Sequence, residues 1–155
     1  MRIVLISDSH GNKLGIDKIF STQKFDYLFF MGDGINDLGN YIYLDNVFVV
    51  SGNCDWLSEY PIEREFDLNG VKFLITHGHK YFVKKSLAFL QERVYGENID
   101  FVCFGHTHTP CVEKYMSTTF INPGSFHKNM NGKSYGKILE INNKIDFKIE
   151  DLIID

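Results

Sequence analysis

The first apolar run, Ile3-Val4-Leu5-Ile6, is continuous and rich in β-branched residues, the pattern of a strand buried on both faces. A polar loop from Ser7 to Asn12 follows, with several residues suited to capping a helix. Leu14, Ile16, Ile19 and Phe20 then recur as one helical face. This βα pattern repeats in part. Tyr27 to Met31 reads as a strand ending in Gly32-Asp33-Gly34, a short helical stretch falls at Asn36 to Tyr43, and Val47 to Val50 reads as a strand ending in Ser51-Gly52-Asn53-Cys54-Asp55. The pattern then changes. Ile62 to Asp67 and Val71 to Thr76 flank Asn69-Gly70, a pair that favours the positive φ angles of a hairpin turn, so part of the second half is expected to be antiparallel. Val83, Leu87, Leu90 and Val94 predict a helix over 82–94, stopped by Gly96. Further strands are predicted at Phe101–Phe104, Cys111–Tyr115, Thr118–Asn122, Ser134–Ile141 and Lys144–Ile149; in the last, Ile145, Phe147 and Ile149 alternate with polar residues. Mixed strands with helices fit a layered α/β sandwich. Neither repeats, low-complexity tracts nor linkers divide residues 1–155, so one domain is expected.

A hydrophobic fraction of 44% and a charged fraction of 23% allow a buried core and weigh against disorder. With 16 basic and 20 acidic residues the net charge is −4, which argues against an extended nucleic-acid surface and means that any phosphate must be held locally. The apolar runs fall far short of the roughly 20 residues of a membrane span. Only the apolar run Ile3–Ile6 precedes Ser7 and Asp8, too little for a signal peptide, so a cytoplasmic location is the default expectation. Cys54, Cys103 and Cys111 form no Cys-X-X-Cys pair, which removes a disulfide framework and a thiolate zinc cluster; Cys103 and Cys111 read as core residues. Tyr41 to Val50 is apolar enough for a patch between copies in a homo-oligomer, although core packing is its default reading.

Polar residues cluster where strands end: Asp8 and His10, then Asp33, Asn53, His77, and His106 with His108. In α/β sheets the crevice beyond the carboxyl ends of the strands is where ligands bind, so these distant side chains can meet. Each alone has an ordinary reading. Asp8 and Ser9 can cap a helix, Asp33 can serve a turn, Asn53 can sit in left-handed backbone, and a lone His-X-His is a weak motif. Together they weigh differently, because clustered carboxylates repel one another unless cations neutralise them. Carboxylate, imidazole and amide donors without thiolate suit Mn²⁺, Fe²⁺, Zn²⁺ or Ni²⁺. Seven donors exceed what one ion would use, while two ions sharing a carboxylate would occupy them and leave room for water and substrate.

Asp8-Ser9-His10, Gly32-Asp33, Gly52-Asn53-Cys54-Asp55, Thr76-His77-Gly78-His79 and Gly105-His106-Thr107-His108, in this order, resemble the metallophosphoesterase, or calcineurin-like phosphoesterase, superfamily. Chain length and Ile121-Asn122-Pro123-Gly124-Ser125 are similar to its small YfcE-type phosphodiesterase branch. The resemblance implies a four-layer α/β/β/α sandwich of two mixed sheets flanked by helices. It also implies two divalent transition-metal ions, one on Asp8, His10 and His108, the other on Asn53, His77 and His106, with Asp33 bridging. The implied activity is hydrolysis of a small phosphoester, most directly a phosphodiester, by in-line attack of a metal-bridging hydroxide, with Asn53 helping to stabilise the charge that develops. Many relatives carry histidine where this chain has Cys54, and that histidine helps protonate the leaving oxygen. Cys54 is a weak substitute and reads equally well as a small packed residue, and Asp55 is counted with it among the candidate reacting groups, its part open. His79 is expected beside the metals as a support or phosphate contact. Two alternatives share the fold: a monoesterase or nuclease using the same site, and a protein-binding scaffold, as in a retromer subunit that has lost part of its metal set.

Overall fold

The computed structural model describes residues 1–155. Strands β1 (Arg2–Ile6), β2 (Tyr27–Phe30) and β3 (Val47–Val49) run parallel, and β9 (Ser134–Asn143) and β10 (Asp146–Ile154) extend the sheet antiparallel in the order β10-β9-β1-β2-β3. The second sheet has the order β4-β5-β6-β8-β7, from β4 (Glu63–Leu68), β5 (Val71–Thr76), β6 (Phe101–Cys103), β7 (Cys111–Tyr115) and β8 (Thr118–Asn122), with β5, β6 and β8 parallel.

Alternation along the strands builds three apolar layers. Ile3 and Leu5 of β1, with Phe29 of β2, face Phe73, Ile75, Phe101 and Ile121 of the other sheet. Val4, Ile6, Leu28 and Phe30 point the other way, onto Ile16 and Ile19 of helix α1 (Lys13–Thr22) and onto Leu38 of a 3-10 helix at Ile35–Tyr43. Leu74, Val102 and Phe120 cover the outer side of the second sheet with Leu90 and Val94 of α2 (Ala88–Val94). Three cores between four layers make the α/β/β/α sandwich, with β1 buried on both faces as its unbroken apolar run predicts. No helix is long and apolar enough to cross a membrane.

Several local expectations need correcting. The predicted helix over 82–94 is helical only from Ala88. Phe82 has φ +52° and Val83 packs beneath Gly78, so the chain turns before the helix starts, although Val83, Leu90 and Val94 still share one core. Lys144 and Ile145 form the turn between β9 and β10 rather than the start of a strand, because the Asn143 side chain accepts hydrogen bonds from the N–H groups of Ile145 (3.0 Å) and Asp146 (2.9 Å). Ile145 is therefore exposed, and only Phe147 and Ile149 pack on the central core. In the 41–50 segment Val47, Val49 and Val50 are buried and Tyr41 stacks on Phe20, which leaves Tyr43 as its most exposed large side chain. Asn69 and Gly70, at φ +55° and +82°, make the expected hairpin turn.

Candidate metal centre

The helix cap is supplied by Asn12, whose Oδ1 accepts the Gly15 N–H at 3.1 Å. Asp8 and His10 are thereby free of that task and turn inward from the end of β1. They do so in left-handed backbone: Asp8, His10, Asp33, His106 and His108 all have φ between +42° and +68°. Aspartate and histidine tolerate this region better than most residues, yet it costs on the order of 1 kcal/mol or more at each position. Such strain, repeated at strand ends, aims side chains that regular backbone would point elsewhere.

Those side chains meet. Asp8, His10 and His108 bring their donor atoms within 4.8 Å of one another, and so do Asp33, His77 and His106. His10, Asp33 and Cys54 form a third such group, so Asp33 is shared. Asn53 Oδ1 lies 3.1 Å from His77 Nε2, which itself lies 3.1 Å from His106 Nδ1. All seven residues expected as ligands therefore surround one crevice, drawn from the ends of β1, β2, β3, β5 and β6. Asp8, Asp33 and His77 form its buried floor, while His10, Asn53, Cys54 and His108 face solvent.

Neighbours that the pattern reading passed over fix these groups. Ser7 Oγ donates to Asp8 Oδ2 at 2.6 Å, and the His106 backbone N–H donates to the same oxygen at 3.0 Å. Gly105 has to lack a side chain here, since a Cβ would strike Ser7 Oγ. Nδ1 of His77 donates to the Met31 carbonyl at 2.7 Å, which leaves Nε2 with a lone pair directed into the crevice. Asn122, fully buried, donates to Gly105 O and Thr107 Oγ1 and so holds the loop carrying His106 and His108. Only the Asn-Pro-Gly-Ser stretch hinted at Asn122; Ser7 gave no separate signal.

The electrostatics are those of a cation site. Neither Asp8 nor Asp33 pairs with a lysine or arginine; the side-chain nitrogens within 4.0 Å of them belong to histidines. Burial opposes ionisation of Asp33, but His77 and the Cys54 backbone N–H outweigh it and hold the carboxyl well below the usual range. Burial likewise opposes charge on His77, yet Asp33 and Asp8 raise its pKa. His106 is pushed down to about 4 by burial, then by His77 and Lys84, so its ring is neutral at pH 7, the form a metal ion takes. Asp8 Oδ1 is buried and makes no hydrogen bond; His108 Nε2 lies 3.0 Å away, without the geometry of one. A buried carboxylate oxygen left unpaired costs several kcal/mol unless a cation meets it, and the imidazole nitrogens around it are the donors that transition metals take. The residue set fits divalent metal.

The remaining expected residues have distinct surroundings. Asp55, expected among the reacting groups, spends its carboxylate on the backbone: Oδ2 accepts from Asp33 N and Gly52 N, both at 2.7 Å, and Oδ1 from Gly34 N (2.8 Å) and Ile35 N (2.9 Å). Four bonds fill the acceptor sites of a carboxylate, so Asp55 ties the Asp33 loop to the Asn53 loop. In the metal-free chain the thiol of Cys54 is pushed up by burial and by Asp33, Asp55 and Asp8. His79 is half-buried beside His77 and His106, with Nδ1 unpartnered and its pKa lowered by burial and by His77.

Comparison with known proteins agrees with this geometry. Residues 1–144 match the family model of the calcineurin-like phosphoesterase superfamily domain. The chain is 31% identical to the probable metallophosphoesterase YsnB of Bacillus subtilis over 81% of its own length and 75% of that protein. It is 26% identical to phosphodiesterase YfcE of Escherichia coli, covering 89% and 87% of the two chains. The crystal structure of a predicted phosphoesterase from Streptococcus pneumoniae superposes with a TM-score of 0.83 at 26% identity, over 97% of this chain and 88% of that one. A family-model match over residues 1–144, with relatives and a solved fold that cover most of the chain, makes this protein a member of the calcineurin-like phosphoesterase superfamily.

Proposed function

We propose that the protein is a phosphodiesterase with a binuclear metal centre, in which Asp8, His10 and His108 hold one divalent ion, Asn53, His77 and His106 the other, and Asp33 lies between them. The observation that carries this reading is the buried Oδ1 of Asp8, which accepts no hydrogen bond in a crevice of converging imidazoles, where a second buried carboxylate, Asp33, likewise has no lysine or arginine beside it. Two ions supply positive charge to the phosphoryl oxygens and acidify water near neutral pH. The protein's own part is positional. The Met31 carbonyl orients His77, Ser7 and the His106 N–H orient Asp8, and Asp55 keeps the Asp33 and Asn53 loops in register. Asn53 and Cys54 stand on the solvent side, where Asn53 Nδ2 can donate to a phosphoryl oxygen. A complete donor set favours an enzyme over a scaffold. Preference for diesters follows the branch that the motifs resemble, and the YfcE comparison supports it.

The test is to strip the protein with chelator, restore Mn²⁺, Ni²⁺, Zn²⁺ or Mg²⁺ separately, and assay a matched phosphodiester and phosphomonoester. Metal-restored turnover, faster on the diester, is expected; absence of restored turnover on both substrates transfers the case to the scaffold.

Cys54 adds a second expectation. Where many relatives carry an imidazole acid this chain has a thiol, a weak hydrogen-bond donor that cations drive toward ionisation. Rates should therefore fall steeply as the leaving-group pKa rises, and Cys54→His should flatten that slope. A series of aryl phosphodiesters measures it. A flat wild-type slope would mean that another group protonates the leaving oxygen.

A further inference from the structure

A cleft of about 650 Å³ runs from the metal centre between the 3-10 helix at 35–43 and the segment 54–60. His10 and Cys54 line it at one end and belong to the donor groups described above, so cleft and centre are continuous. Tyr43, Trp56 and Leu57 line it as well, and Trp56 and Tyr43 are 85% and 79% exposed. These side chains do not hold the core together. Their segment is anchored by polar contacts instead: Ser51 Oγ lies 2.7 Å from Ser58 Oγ and donates to the Tyr60 carbonyl at 2.7 Å, and Ser58 N donates to Asp55 O. Leu57, at φ +61°, is held outward by strained backbone. Large aromatic surface presented on a tied loop beside a reaction centre is surface kept for a ligand.

Charge narrows the ligand. Asp37, Asp55 and Glu59 line the cleft, and none of its lining residues is a lysine or arginine. Asp37 is fixed there, accepting from Ser9 Oγ (2.6 Å) and Gly11 N (2.8 Å). A phosphate chain or a strand of nucleic acid is repelled from such a wall, so the anionic part of a substrate stays at the metal centre and what enters the cleft is uncharged. Flat rings stack on tryptophan and tyrosine best.

We infer that this cleft is the subsite for an aromatic ester group of the phosphodiester substrate, with Trp56 and Tyr43 as the residues that set specificity. The inference rests on the phosphodiesterase reading and deepens it. Its test compares phenylphosphonate with methylphosphonate as inhibitors of bis(4-nitrophenyl) phosphate hydrolysis by the metal-loaded protein. Phenylphosphonate should inhibit at roughly tenfold lower concentration, the upper end of what ring stacking contributes, and Trp56→Ala should bring the two inhibitors close together. Trp56 is the only tryptophan in the chain, so its fluorescence reports occupancy without turnover: it should change on adding phenylphosphonate and stay constant with methylphosphonate. Equal inhibition with unchanged fluorescence overturns the subsite and leaves the phosphodiesterase standing. A fluorescence response to phenylphosphonate alone, with no hydrolysis under any metal, supports the aromatic site and removes the reaction.

Discussion

Asp33→Asn should lower kcat/KM on a phosphodiester about a thousandfold, an effect of about 4 kcal/mol and in line with the several kcal/mol that a positioned metal contributes. Asp33 Oδ1 accepts the Cys54 N–H at 2.8 Å, and its Oδ2 faces His77 Nε2 at 3.3 Å and His10 Nε2 at 3.9 Å. Asparagine can keep the first contact. At the second it replaces a shared anionic oxygen with an N–H donor, aimed where cations are to sit. The fold should survive with a modest loss of stability, because asparagine keeps the Cys54 N–H contact but gives up the charge that His77 favours in the folded chain. Thermal melting of the metal-free proteins should therefore shift by a few degrees at most, while activity and metal uptake fall together. A variant keeping more than a tenth of wild-type activity would take Asp33 out of the centre.

Asp55→Ala should lose stability as well as activity. It leaves the N–H groups of Asp33, Gly34, Ile35 and Gly52 without an acceptor. Hydrogen bonds to a charged group contribute about 1.5–3 kcal/mol each, but Asp55 is half-exposed and water can replace part of them. A net loss of about 3 kcal/mol is expected, which for a chain of this size lowers Tm by roughly 6–12 °C. Asp55→Asn should recover only part, since its amide nitrogen presents donors to donors. Held well below its melting point, the folded Asp55→Asn protein should bind metal about 10–100-fold more weakly, as when a ligand's support is lost. Its pH–rate profile should keep the wild-type shape. A changed profile with unchanged metal affinity would return Asp55 to the reacting groups.

Much of this architecture is legible in the chain because strand burial writes a direct pattern. The run Ile3–Ile6 can only be buried on both sides, and Asn69-Gly70 dictates its turn. The 82–94 segment shows the limit. Apolar spacing reports which residues face a core, and Val83 does, but it does not report that Phe82 turns through positive φ. The same limit applies at the centre. Asp8, Asp33 and the histidines stand out by residue type and strand-end position, whereas the unpaired Asp8 Oδ1, the Met31 carbonyl on His77 and the saturation of Asp55 are properties of backbone brought together from distant parts of the chain. Cys54 and Asp55 both stand among the candidate reacting residues by motif, and the motif does not separate them. In space they divide, the thiol beside the donor atoms of His10 and Asp33 and the carboxylate into a net of backbone N–H groups.

The most direct measurement is the number of ions the folded chain takes up. Metal-free protein dialysed to equilibrium against Mn²⁺ or Zn²⁺, then analysed for metal and protein, should saturate at two ions per chain, with Asp33→Asn holding one or fewer. A wild-type chain that melts cooperatively yet saturates at one ion, or takes up none, would contradict the account.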